Sequence, residues 1–117
     1  MRQLYVDAAG GTVRNGTSGS PIVVRAHPGE KVLLRNVGTD SIIYFRGVSY
    51  WTFEGFAMDN NGRGSNAIRF KHNASHNILR NNEIYNGDSS GISLYEGHNV
   101  GNVIESNHIH HFDAGDR

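Results

Sequence analysis

The chain is 117 residues long, and its eleven Lys and Arg balance eleven Asp and Glu. That is about one domain of chain with no net charge, which argues against a nucleic-acid partner, since such binders carry a basic excess. The absence of cysteine excludes a disulfide framework, a thiolate metal site and a cysteine nucleophile. No apolar run approaches the ~20 residues that cross a bilayer. Residues Met1 to Asp7 carry no apolar signal stretch, so the sequence predicts neither a membrane partner nor a signal peptide.

Fifteen Gly stand against two Pro, thirteen residues are Asn, and 37% are hydrophobic. Gly and Asn are weak helix formers, so this mixture predicts short strands joined by tight turns. From the N-terminus, Leu4-Tyr5-Val6 reads as a strand, followed by Ile22-Val23-Val24-Arg25-Ala26 and Lys31-Val32-Leu33-Leu34. Their register is not visible, and residues 1–40 read as irregular coils of a single domain spanning 1–117.

A repeat begins near Ser41. Residues 50–60 align with 76–86 and then with 101–111, at offsets of 26 and 25 residues. Phe53, Leu79 and Ile104 share a column, as do Met58, Ile84 and Ile109. Asn82 over Asn107 between them fits a tight bend, since asparagine tolerates the left-handed region and its amide can bond its neighbour's in a ladder. A strand precedes each segment and adds the columns Ile43/Ile68/Ile92 and Phe45/Phe70/Leu94. Alternation at period two marks strands with one buried face. Three short strands in about 25 residues make one coil of a parallel solenoid, stacked at ~4.8 Å.

The fold class is therefore all-β, a parallel β-helix of about four to five coils. The first sheet is expected at 42–47, 67–72 and 91–96, the second at 51–55, 77–81 and 102–106. The third is expected at 57–60, 83–86 and 108–111. No capping helix is visible, so the pattern reads as an uncapped segment of a longer solenoid, or as a short one that self-associates end to end.

Outward columns are where chemistry would lie. On the first sheet these are Tyr44/Arg69/Ser93 and Arg46/Lys71/Tyr95. Arginine forks onto carboxylates, and tyrosine packs on sugar rings, so this face suits an acidic polysaccharide. The plain alternative is a solvated face of mixed charge. Glu54/Arg80/Glu105 on the second sheet reads as a structural ladder of alternating sign. On the third sheet Glu83 lies beside His108, and Asp59, Tyr85 and His110 share a column, with His111 and Asp113 nearby. Outward side chains on a flat sheet are expected to point in parallel, which reads as surface histidines rather than as a metal site. Asp88 and Asp113, 25 residues apart in the long bend, are the candidate Ca2+ ligands, against the alternative that both are ordinary turn residues.

Gly16 to Glu30, Tyr50 to Phe56 and Ser75 to Ile84 resemble right-handed parallel β-helix repeats of the pectate-lyase-like superfamily. The resemblance runs from about Gly16 to His111 and is specific for fold rather than function. It implies an extracellular or periplasmic parent protein that binds, and in a catalytic version cleaves by β-elimination, an acidic polysaccharide along the first sheet. A polysaccharide lyase is then favoured over a glycoside hydrolase. By that analogy Lys71 is the candidate base, Arg46 and Arg69 are substrate clamps, Tyr44 and Tyr95 line the substrate, and calcium neutralises its acid. The lysine role requires a lowered pKa. A non-catalytic structural or glycan-binding module, of the adhesin or phage-fibre kind, is the other reading.

Overall fold

The computed structural model describes residues 4–7, 14–27, 29–30, 32–36, 40–62 and 66–112. Numbered along the chain, the first sheet holds β1 (Leu4–Asp7), β4 (Ile43–Arg46), β7 (Ile68–Lys71) and β10 (Ile92–Leu94). The second holds β2 (Ile22–Arg25), β5 (Trp51–Glu54), β8 (Ile78–Arg80) and β11 (Val103–Glu105). The third holds β3 (Val32–Arg35), β6 (Phe56–Asp59), β9 (Glu83–Gly87) and β12 (His108–Phe112). All nine pairings between these strands are parallel.

Four strands per sheet give four rungs among the described residues, and three turns separate the first from the last. That agrees with the lower end of the four to five coils expected. The N-terminal strands form an ordinary rung after all. Leu4 pairs with Ile43 at a spacing of 39 residues, whereas Ile43 pairs with Ile68 at a spacing of 25. The larger spacing hides the period.

The expected columns are in register among the described residues. Phe53 pairs with Leu79 and Leu79 with Ile104, and Met58 pairs with Ile84 and Ile84 with Ile109. The inward side chains of the middle rungs make the core, including Ile43, Phe45, Phe53, Met58, Ile68, Phe70, Leu79 and Ile84. Phe45 stacks on Phe70 with ring centroids 4.6 Å apart and meets Phe53 edge-on at 5.2 Å. Aromatic contacts of this kind add to the gain from area removed from water. On the fourth rung the same inward positions, Leu94, Ile104 and Ile109, are 40–43% exposed, because no further described rung covers them.

The corners repeat as faithfully as the strands. Backbone φ is positive at Gly47, His72 and Glu96, and at Tyr50, His76 and Gly101. It is positive again at Gly55, Asn81 and Ser106, and at Asn61, Asn86 and His111. These sets lie one above another at each corner of the coil. Gly and Asn adopt this conformation readily, while His, Tyr, Glu and Ser do so at a cost. Buried asparagines close the same corners. Asn82 donates to the Asn107 side-chain oxygen at 3.2 Å, and Asn77 to Asn102 at 3.1 Å. Asn36 donates to Asn60 at 2.8 Å.

Candidate functional site

Alternation along β4 and β7 turns Ile43, Phe45, Ile68 and Phe70 inward and Tyr44, Arg46, Arg69 and Lys71 outward. Parallel register then sets Tyr44 beside Arg69 and Arg46 beside Lys71. Tyr95 follows β10, and its N–H donates to the Phe70 carbonyl, which holds it one rung beyond Lys71.

The geometry is a cation–aromatic stack. The Arg69 guanidinium carbon lies 4.3 Å from the Tyr44 ring centre, and the Lys71 ammonium lies 4.5 Å from that of Tyr95. Arg69 Nη1 donates to the Tyr95 hydroxyl at 3.1 Å. Tyr44 is only 7% exposed, although it points outward, and Arg69 lies over its ring. The structure thus brings together Tyr44, Arg69, Lys71 and Tyr95. Arg46 shares the face through its pairing with Lys71 and is half-buried.

Two carboxylates complete the face. Asp40 Oδ1 lies 2.6 Å from Arg69 Nη2, and Glu96 Oε1 lies 3.0 Å from Lys71 Nζ. Sequence reasoning passed over both because they sit in the bends beside the strands. One signal was present: Glu96 directly follows Tyr95, and the His72 N–H donates to its carbonyl, so it is stacked over the residue after Lys71. The hydrogen bond to Glu96 raises the Lys71 pKa above the usual lysine value, outweighing desolvation. The same contact lowers the Glu96 carboxyl below its ordinary range. A lyase base requires the opposite direction for the lysine.

On the second sheet the expected ladder is present, with Arg80 Nε 2.8 Å from Glu54 Oε1 and Nη1 3.8 Å from Glu105 Oε2. Asp88 is half-buried just after β9, and Asp113 lies outside the described residues. The third sheet corrects an expectation. Glu83 leans across to His110, its Oε2 2.8 Å from His110 Nε2, and one donor atom from each of Glu83, His108 and His110 lies within 4.8 Å of the others. Glu83 pairs with His108, and His110 stands two residues further along β12. A glutamate is long enough to reach such a diagonal neighbour, which a column-by-column reading leaves out.

No helix among the described residues is long and apolar enough to cross a membrane. Comparison with curated proteins and with solved structures finds no match. A family model described as a right-handed β-helix region matches residues 10–115. That span holds every described rung from β2 onward, with the parallel register and stacked corners set out above, and the chain accordingly belongs to the right-handed β-helix family.

Proposed function

We propose that the chain is a glycan-binding module whose first-sheet face takes an acidic, uronate-rich polysaccharide. The observation that supports it is the state of Arg69 and Lys71. Each is packed on a tyrosine ring, and each is bonded to a carboxylate whose side chain is about half exposed, 48% for Asp40 and 54% for Glu96. A uronate carboxylate can replace either partner with the same charge-assisted hydrogen bonds. The tyrosines hold the cations in place and offer ring faces and hydroxyls to sugar. Binding without cleavage is the favoured form. Removal of a proton by Lys71 needs a neutral amine, and its bond to Glu96 keeps it charged.

The experiment is retention on immobilised polygalacturonate and alginate beside a neutral glucan. The reading expects retention on the acidic polymers alone, weakened by salt and at least tenfold weaker in the Arg69→Ala/Lys71→Ala double variant. It also expects no ultraviolet absorbance from an unsaturated uronate product. Equal behaviour towards acidic and neutral polymers overturns the binding, and accumulating unsaturated product overturns the non-catalytic form.

A further inference from the structure

On the third sheet, away from the cation–aromatic face, we propose that Glu83, His108 and His110 form a binding site for a borderline first-row divalent cation of the zinc class. The coil places the three. Glu83 on β9 and His108 on β12 are paired one rung apart, and His110 follows on the same side of β12. Their donor atoms already lie within 4.8 Å of one another. A tetrahedral zinc with bonds of ~2.0–2.2 Å needs donors about 3.3–3.6 Å apart. Loading a metal therefore draws the exposed His108 inward and opens the 2.8 Å contact of half-buried Glu83 with His110 by a fraction of an ångström.

The His110 ring is held for this task. It stacks on the Tyr85 ring, with centroids 5.3 Å apart and planes 8° from parallel. Its Nε2 faces Glu83 Oε2 at 2.8 Å, and its Nδ1 faces His111 Nδ1 at 2.5 Å. If Nδ1 carries the proton and donates to His111, Nε2 presents a lone pair towards a carboxylate oxygen. Two acceptors so placed need something positive between them, a proton or a metal ion. An outer hydrogen bond that fixes the tautomer of a ligating imidazole is the usual support for a metal ligand. His108, 4.3 Å from the His110 ring centre to centre, supplies the third donor.

The donor set selects the cation. Two imidazoles with one carboxylate suit zinc, copper or nickel, whereas calcium and magnesium take oxygen ligands. Three protein ligands on an exposed sheet leave the fourth position to water.

The test is equilibrium dialysis of the untagged chain against zinc sulfate in a non-chelating buffer. The proposal expects one zinc per chain, a raised melting temperature and no displacement by excess calcium. It expects cobalt(II) to give the visible absorption of a four-coordinate site. His108→Asn, which leaves the Glu83–His110 pair in place, and Glu83→Gln should each lower zinc affinity at least tenfold. His98→Ala, in a bend elsewhere on the coil, should leave it unchanged. Absence of stoichiometric zinc overturns the site, as does wild-type affinity in both variants, which would leave only an ion pair between Glu83 and His110.

Discussion

The side-chain oxygen of Asn102 accepts two hydrogen bonds from Asn77 one rung away, from its backbone N–H at 3.0 Å and from its Nδ2 at 3.1 Å. Asn77 in turn accepts from the Trp51 N–H at 3.0 Å and is fully buried. Each asparagine thus closes a corner of its own rung and ties it to the next. Asn77→Ala strands the Trp51 N–H, while the Val48 carbonyl retains the Ser75 N–H. The expected loss is about 1–3 kcal/mol, the cost of one buried unsatisfied donor, read as a lower denaturation midpoint. An unchanged midpoint would remove the ladder from the account.

Gly55 and Ser106 occupy equivalent corner positions with φ of 84° and 54°. Substitutions there should act in opposite directions. Gly55→Ala places a Cβ only in ordinary contact with Ala26, so its cost is the backbone alone, about 1–2 kcal/mol. Ser106→Gly relieves the same conformation and should raise stability by up to ~1 kcal/mol, less the entropy glycine adds to the unfolded chain. Thermal melts of the two variants check the signs.

Phe70 is fully buried and stacked on Phe45 at the centre of the first sheet. Phe70→Ala should cost about 3–5 kcal/mol and Phe70→Leu clearly less, because leucine leaves a smaller cavity. Equal losses for the two would mean the stack is not part of the packed core.

The Lys71–Glu96 pair makes stability depend on pH at both ends. Glu96 has a folded pKa below its ordinary value, chiefly through Lys71, so its contribution is present above the unfolded pKa and is lost as pH falls through the folded one. Lys71 has a raised pKa, chiefly through Glu96, so its contribution is full below the unfolded value and is lost as pH rises through the folded one. Glu96→Gln should flatten the dependence at the acid end and return the Lys71 pKa towards its ordinary value. Both effects are readable by NMR titration and by denaturation at a series of pH values. High salt should shrink the wild-type dependence, since both groups reach the surface.

Much of this was legible from one fact, the spacing of about 25 residues. It placed Phe53 over Leu79, Ile84 under Ile109, and Arg80 between Glu54 and Glu105, because parallel stacking carries sequence offset directly into space. The first-sheet cations and tyrosines followed from the same columns. What stayed hidden lies off the columns. Asp40 and Glu96 reach Arg69 and Lys71 from bends whose paths no alternation describes. His110 meets Glu83 along a diagonal. The amide ladder of Asn82 on Asn107 was legible from the same spacing, whereas its counterpart, Asn77 on Asn102, sits at the edge of the aligned segments where no strand column marks it.

Register between rungs decides which side chains meet on every face, and a nuclear Overhauser spectrum of the isotope-labelled chain reads it most directly. Cross-peaks are predicted between the side chains of Ile84 and Ile109, Leu79 and Ile104, and Phe45 and Phe70. Silence at these pairs, with contacts displaced by one residue or running antiparallel, would contradict the stacked coil and both faces built on it.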